Sequence, residues 1–240
     1  DLRMSRGLGD VYKRQLVGQL MEELNCEVVF TLPILGGIPV SEAVVVSWII
    51  MAVLFLVCFI FVRGFDVTHP GKKQIVLETA VSGIYHFFDE ILGEAGRDYV
   101  PYLMSVAIYV GASNLIGLFG FKPPTKDINV TAALALMSIV LIEVAGIRKK
   151  GGKGWLKSFA EPIAIVAPIN VLEIFIRPLS LCMRLFGNVL GSFVIMELLK
   201  QVVPAVLPVV FSAYFDIFDG IIQAYVFVFL TALFVKEAIE

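Results

Sequence analysis

Long apolar runs, separated by short polar or basic breaks, dominate the chain from residue 40 onward. A helix needs about 20 apolar residues to cross roughly 30 Å of hydrocarbon, and residues 40–62, 101–121 and 128–147 meet that requirement. Residues 73–95 instead mix apolar and charged side chains at helical spacing, which is typical of a helix that lies along the membrane surface or packs on a bundle. The pattern therefore predicts three spanning helices and one surface helix before residue 150.

The densest basic cluster follows the third predicted span and consists of Arg148, Lys149, Lys150, Lys153 and Lys157. Lys and Arg residues near the ends of spans favour the cytoplasmic side, so we expect this cluster to be cytoplasmic. Counting crossings back from it places the turn at 122–127 outside, residues 63–95 inside and the N-terminus outside. We expect the C-terminus to be cytoplasmic as well.

Three apolar stretches remain after the basic cluster, at 162–176, 178–203 and roughly 205–235. A cytoplasmic C-terminus allows only two further crossings. The first stretch is short and contains two prolines and Glu173, so we predict a re-entrant or shallow segment there, covered by protein or by a water-filled cavity. The predicted fold is an all-α polytopic membrane protein with about five transmembrane helices, a re-entrant segment and a surface helix. Its last two helices are long and are predicted to tilt.

Composition supports a membrane protein, since 58% of the residues are hydrophobic and 17% are charged, against roughly 45–50% and about 25% in an ordinary globular domain. A net charge of −2 argues against a nucleic-acid partner. Cys26, Cys58 and Cys182 are dispersed and predict packing roles rather than a disulfide framework. The sequence has no phosphate-binding glycine loop, nucleophile motif or zinc signature. We therefore expect no metal, no cofactor and no catalytic site of the soluble kind.

Residues 1–15, DLRMSRGLGDVYKRQ, differ in character from everything downstream. The letters DVYKRQ match the translation of a common sequencing-library adapter, so we interpret residues 1–15 as non-native sequence and expect the natural N-terminus to be missing. A short basic cytoplasmic arm is the alternative interpretation. We expect residues 16–240 to form a single membrane domain.

An arginine inside the 178–203 run is the first candidate for chemistry. One helical face carries polar or small residues at spacings of four, four and three, namely Ser180, Arg184, Asn188 and Gly191. A guanidinium stays charged at any accessible pH and costs about 2.5–3.5 kcal/mol at a bilayer centre on insertion scales. Snorkelling to a headgroup or a structural ion pair is the alternative, and either suits Arg177 better than Arg184. Arg184 is therefore predicted to be functional.

The final apolar stretch carries a second polar stripe. Asp216, Asp219 and Gln223 are spaced by three and four, beside Gly220, which puts them on one face of an α-helix. An ionisable group inside a membrane indicates an ion path by default, although either aspartate could lie at the membrane edge or pair with a neighbour. Glu197 and Glu173 are further candidates, so the core of the predicted ion path spans 160–236.

Three sequence blocks together resemble subunit a of the bacterial rotary F-type ATP synthases. They are RPLSLCMRLFGNVLGS at 177–192, DGIIQAYVFVFLTALF at 219–234 and TKDINVTAALAL at 125–136. The resemblance covers roughly residues 40–240, including the order of the helices and the polar face of the last helix. The PLSLxxRLFGN core is specific to that family.

The resemblance implies a role for each matching residue. Arg184 matches the essential arginine of the family, which faces a rotating ring of small subunits that each carry a membrane-embedded carboxylate. Gln223 matches the glutamine of the last helix that faces this arginine. Asp216 stands where relatives carry a histidine or glutamate of the ion-access channel, and Asn188 matches the asparagine of the LFGN block.

Two acidic positions depart from the family pattern. Glu173 resembles a glutamate that precedes the arginine helix, but it lies about three residues closer to the following proline than in some relatives. Nine residues after Arg184, where some relatives carry a glutamate or histidine, this chain has Phe193. Glu197 lies one helical turn further on, on nearly the same face, and we hypothesise that it substitutes.

The resemblance implies a stator ion-channel subunit without ATP chemistry of its own. Two aqueous half-channels would meet at the arginine, one near Glu173 and the other lined by Asp216, Asp219 and Glu197. The implied partners are the c-ring, the b subunit of the peripheral stalk, the rest of the ATP synthase complex and the lipid of a bacterial plasma membrane. The coupling ion is left open between H⁺ and Na⁺. A secondary ion transporter is a less favoured alternative, since such proteins usually show two matching halves and the sequence shows no internal repeat.

Overall fold

A computed structural model describes residues 28–33, 38–63, 65–66, 71–159, 167–202 and 211–240. The predicted non-native segment at 1–15 lies outside these residues. Six α-helices are described, and we number them α1 Glu42–Val62, α2 Lys72–Leu92, α3 Val100–Leu115, α4 Ile128–Ser158, α5 Ala167–Val202 and α6 Gly220–Ile239. Short 3₁₀ segments cover Glu94–Tyr99, Ile116–Phe119 and Pro124–Lys126, and a π-helical segment, Ala213–Asp219, leads into α6.

The prediction of five transmembrane helices is confirmed by length and composition. The helical stretches that are long and apolar enough to cross a membrane are Glu42–Val62, Glu94–Phe119, Ile128–Ser158, Ala167–Met196 and Ala213–Ile239. The predicted surface helix corresponds to α2, which is not in this set. A two-stranded antiparallel sheet, β1 Val28–Leu32 with β2 Ile38–Ser41, precedes α1 and was not predicted from the sequence.

The predicted re-entrant segment is wrong for residues 167–176, and residues 162–166 lie outside the described part. Residues 167–176 form the first turns of α5, which runs for 36 residues through Pro178. Pro168 falls in the first turn of this helix, where the missing N–H costs nothing. Pro178 removes one hydrogen bond, a loss that neighbouring helices can absorb in a membrane bundle. The tilt of α5 and α6 stays a prediction.

The third predicted span also continues further than expected. α4 runs through the basic cluster to Ser158, with Gly151 at φ 73° and ψ 156° as a bend. Beyond the bend the chain turns back, so that the Trp155 indole lies against Gly146 and donates a hydrogen bond to Glu143 Oε2 at 2.8 Å. The basic cluster therefore lies on a bent helix rather than on a loop.

The core of the bundle lies between α3, α4 and α6. Its largest fully buried side chains include Leu103 of α3, Ile142 of α4 and Phe227 of α6. α5 packs along α4, and α6 contacts α2, α3, α4 and α5, so it is central. α1 is peripheral, since most of its large apolar side chains from Trp48 to Val62 are exposed.

Candidate ion-path site

The arginine face of α5 points away from the core of the bundle. Leu181 and Leu185 are 1% and 0% exposed and belong to the core. Ser180, Arg184 and Gly187 are exposed and follow one another at intervals of four and three, so they share the opposite face of the helix. α5 therefore displays Arg184 on an outward surface.

The surface around Arg184 is open. A Cβ atom added at Gly187 or Gly191 would meet no neighbouring atom within 4 Å beyond the backbone of its own helix. None of the described side chains lies within hydrogen-bonding or ion-pairing distance of the Arg184 guanidinium. Because a guanidinium offers five N–H donors and keeps its charge, this surface is complementary to an acidic group on another molecule.

Asn188, one turn beyond Arg184, ties α5 to the π-helical segment. Its Nδ2 donates a hydrogen bond to Oδ2 of Asp219, and both side chains are half-buried. Hydrogen bonds to an ionised carboxylate are roughly twice as strong as neutral ones. The structure thus brings two of the sequence-predicted residues into direct contact.

Asp216 faces a different neighbour, which corrects the prediction of a single polar stripe. Its Oδ2 accepts a hydrogen bond from Ser212 Oγ at 2.6 Å, and its Oδ1 lies against Gly117, where an added Cβ would come within 2.9 Å. The predicted stripe of Asp216, Asp219 and Gln223 assumed α-helical geometry. Ala213–Asp219 is π-helical, and its wider i→i+5 turn directs the two carboxylates to different partners.

Gln223 is buried in α6 and leaves one donor unused. The side chain is 7% exposed, and Nε2 has no hydrogen-bond partner among the described residues. Leaving a buried amide donor unpaired costs about 1–3 kcal/mol, and a bound water can remove that cost. No hydrogen bond among the described residues joins Gln223 to Arg184, and the prediction that Gln223 faces the arginine stays a prediction.

A buried polar network joins α3 to the start of α6. Asn114 Nδ2 donates to the carbonyl of Gly220 at 3.1 Å, and Asn114 Oδ1 accepts from Thr125 Oγ1 at 2.9 Å. The two helices approach closely, since a Cβ at Gly220 would lie 3.0 Å from the Asn114 Cβ. This network fixes the backbone beside Asp219, and neither Asn114 nor Thr125 was among the predicted site residues.

A buried lysine lies beside the position where the sequence departs from the family. Lys126 is 7% exposed, and its Nζ is 3.5 Å from the centroid of the Phe193 ring, a cation–π geometry. No pattern in the sequence predicts that these residues meet. The backbone of Glu197 belongs to α5, but its side chain lies outside the described residues, so its substitution for the missing acid at 193 stays a hypothesis.

Glu173 belongs to an ionic cluster near the start of α5. Arg177 Nη2 lies 2.7 Å from Glu173 Oε2 and 2.7 Å from Glu237 Oε1 of α6. The guanidinium carbon is 5.0 Å from the centroid of the Phe234 ring. A structural ion pair was one of the two alternative interpretations for Arg177, and these contacts form such a pair.

The same cluster borders a cleft of about 180 Å³ between α4, α5 and α6. Glu143, Lys150 and Glu237 line it together with Glu173 and Arg177. Glu173 and Asn188 are fifteen residues apart on α5, or roughly 22 Å at 1.5 Å per residue. The predicted site residues therefore form two separate groups along α5, and Arg184 lies between them.

The side chains of this arrangement are of the kinds that attract and bind ions. It combines an outward guanidinium, carboxylates at two levels of the bundle and buried amides. Among the described residues, no group of three or more His, Cys, Asp or Glu side chains is placed to hold a metal ion. Gly117, Ser212 and Glu237 were missed in the sequence because their contribution depends on which helices pack together.

A comparison with protein families matches residues 44–236 to the family described as ATP synthase A chain. The matched range contains α2 to α5 and nearly all of α1 and α6. It also contains both groups of polar residues and Arg184.

Individual relatives are similar over most of their length. ATP synthase subunit a of Moorella thermoacetica is 37% identical over 207 residues, which cover 86% of this chain and 94% of the relative. ATP synthase subunit a 3 of Pelobacter propionicus is 37% identical over 205 residues, covering 83% and 88%. The sodium ion specific ATP synthase subunit a of Propionigenium modestum is 30% identical over 219 residues, covering 85% and 75%.

Proposed function

Because the chain belongs to the ATP synthase A chain family, we propose that it is the stator ion channel of an F-type ATP synthase. In this role it couples ion flow across the membrane to rotation of the c-ring, and so to ATP synthesis. Membership of the family makes the chain a component of the ATP synthase complex. The proposed direct partners are the c-ring and the b subunit of the peripheral stalk.

The observation that carries the proposal is the exposure of Arg184 on an open face of α5. A permanent charge on an apolar bundle is costly unless a counter-charge meets it. No described side chain of this chain supplies one. The counter-charge in our proposal is a carboxylate on the ring, which approaches closely because Gly187 and Gly191 leave space beside the arginine.

The proposed mechanism is electrostatic. An opposite charge at close range favours the ionised form of a carboxylate and lowers its pKa by about 1–3 units, so a ring carboxylate that reaches Arg184 releases its ion. The arginine also blocks a direct passage of ions between the two half-channels. Lysine would serve less well, because burial can neutralise an ammonium whereas the guanidinium stays charged.

The two groups of polar residues are the proposed linings of the half-channels. Asp216, Asp219 and Asn188, with Glu197, would line the outer half-channel, and Gln223 would lie where it meets the arginine. Glu173, in the cleft between α4, α5 and α6, would line the cytoplasmic half-channel. This assignment uses the proposed orientation, with the basic end of α4 and the C-terminus in the cytoplasm and the N-terminus outside.

The proposed coupling ion is H⁺. The similarity to a relative described as sodium ion specific favours Na⁺ as a second candidate with the same mechanism. One measurement distinguishes the two coupling ions, since only a sodium-coupled complex requires Na⁺ in the medium for ATP-driven ion transport.

The test compares ATP-driven ion transport in membrane vesicles that carry the whole complex. Arg184→Ala is expected to abolish pumping while the peripheral head continues to hydrolyse ATP. Arg148→Ala, which removes an equally exposed arginine from the bend region of α4, is the matched control and should pump like the parent. Undiminished pumping by Arg184→Ala would make the arginine structural and overturn the proposal. Ion transport by the purified chain alone, without ring subunits, would favour the transporter alternative.

A further inference from the structure

We propose that Arg177 is a positioning residue that locks α5 to α6 and thereby holds Arg184 at its place between the half-channels. The inference rests on the proposed function of Arg184. It assigns Arg177 and Glu237 a role in coupling, which neither residue type nor spacing suggests.

The Arg177 side chain makes three contacts, two with carboxylates and one with an aromatic ring. One terminal nitrogen, Nη2, lies 2.7 Å from a carboxylate oxygen of Glu173 on its own helix and 2.7 Å from one of Glu237 on α6. The guanidinium also packs over the Phe234 ring of α6 at 5.0 Å. The Arg177 side chain is only 17% exposed. Two of its three contacts are therefore made with α6.

The contact of Arg177 with Glu237, here called the clamp, is one of two polar contacts between α5 and the last helical stretch among the described residues. The other is the hydrogen bond from Asn188 to Asp219. Arg184 lies between them, seven residues after Arg177 and four before Asn188, or roughly 10 Å and 6 Å along the helix. Because Arg184 makes no described polar contact of its own, its position relative to α6 is set by these two contacts together with the packing of α5 along α4.

A displaced Arg184 has a specific functional consequence. If α5 slides or rotates relative to α6, the guanidinium no longer separates the half-channels, and ions pass without turning the ring. A clamp that positions Arg184 therefore predicts loss of coupling in complexes that are fully assembled. A merely structural ion pair predicts fewer complexes that each couple normally.

The clamp is tested with Glu237→Gln and Arg177→Met in vesicles that carry the whole complex. The readouts are ions pumped per ATP hydrolysed, measured per assembled complex, and passive ion permeability after the head is removed. We expect the pumping ratio to fall by about threefold, the shift typical of losing one interhelical hydrogen bond in a membrane bundle, and passive permeability to rise. The double variant should match Arg177→Met, because Arg177→Met already removes the contact with Glu237 together with those to Glu173 and Phe234.

Glu240→Gln is the matched control, since among the described residues the Glu240 side chain makes only a loose pair with Lys236 at the end of α6, at 3.9 Å. Its pumping ratio should equal that of the parent. A parental ratio in Glu237→Gln and Arg177→Met, whatever the yield of complex, would overturn the clamp. Arg184→Ala is measured alongside: if it pumps normally the proposed function fails, whereas if it stops pumping and the clamp variants stay coupled, only this inference fails.

Discussion

At the residue scale, two arginines seven positions apart on the same helix have opposite surroundings. Arg177 is nearly buried, with two carboxylates and an aromatic ring around it. Arg184 is exposed, with small residues beside it and no described partner. An arginine that already has its counter-charge is satisfied within the chain, whereas Arg184 has no such partner among the described residues. This difference is the basis for the proposed positioning role of Arg177 and the proposed direct role of Arg184 in ion transfer.

Gly117→Ala tests the proposed role of Asp216 without touching its carboxylate. The added methyl group would come 2.9 Å from Asp216 Oδ1, so the carboxylate must shift away and weaken its hydrogen bond from Ser212. Such a bond to a charged acceptor contributes about 1.5–3 kcal/mol. We expect ATP-driven pumping to fall severalfold while the chain remains folded, because only the end of one side chain has to move.

Gly83→Ala is the control for this prediction. An added Cβ at Gly83 meets no neighbouring atom within 4 Å, and alanine in a helix interior is favoured over glycine by about 0.5–1 kcal/mol. Pumping should therefore stay at the parental level. Equal activity in both variants would show that the place of the Asp216 carboxylate does not limit transport.

At the element scale, the bend in α4 depends on one glycine. Gly151 has φ 73° and ψ 156°, a region that only glycine occupies without strain of about 1–3 kcal/mol. The bend returns the chain so that Trp155 reaches Glu143 at 2.8 Å, and both residues line the cleft that contains Glu173. The bend in α4 thus positions Glu143 and Trp155 as one wall of the proposed cytoplasmic half-channel.

Gly151→Ala is expected to destabilise the protein by about 1–3 kcal/mol, whereas Gly152→Ala is not. The two glycines are adjacent, but a Cβ at Gly152 meets nothing within 4 Å and its φ is not positive. Thermal unfolding of the two variants in detergent, monitored by the fluorescence of Trp48 and Trp155 together, measures the difference. Equal melting temperatures would mean that the bend relaxes freely.

Hydropathy predicted the five spans because a bilayer requires about 20 apolar residues per helix, and that requirement appears directly in the sequence. The polar candidates were found for the same reason, since charges are rare in such runs. The continuation of α5 through Pro178 was not predictable, because a proline breaks or merely bends a helix depending on its neighbours. The π-helical turn that separates Asp216 from Asp219 likewise has no sequence pattern, and it packs against α3 and the 3₁₀ segment Ile116–Phe119.

At the scale of the whole molecule, α6 contacts α2, α3, α4 and α5, whereas α5 packs mainly along α4 and leaves its other face uncovered. The uncovered face carries the permanent charge of Arg184. Moving one charge through 100 mV is worth about 2.3 kcal/mol. A single ion crossing therefore supplies little free energy, and the proposed motor needs several crossings for each ATP. A face that stays open and smooth suits repeated passage of a partner better than a fixed interface.

Gly187→Leu tests whether the ring passes along this face. Because an added Cβ at Gly187 meets no neighbouring atom of the described residues within 4 Å, the substitution should leave the fold intact. Between two closely packed surfaces the same side chain is overpacked, which costs about 1–3 kcal/mol. We expect the variant to insert into the membrane at normal levels. Less c-ring should co-purify with it, and ATP-driven pumping should fall severalfold. Gly83→Leu, on the exposed side of α2, controls for a bulky residue on an open helix surface. If Gly187→Leu retained the ring and pumped like the parent, the ring would have to approach on another face, and Arg184 could not be the charge that it meets.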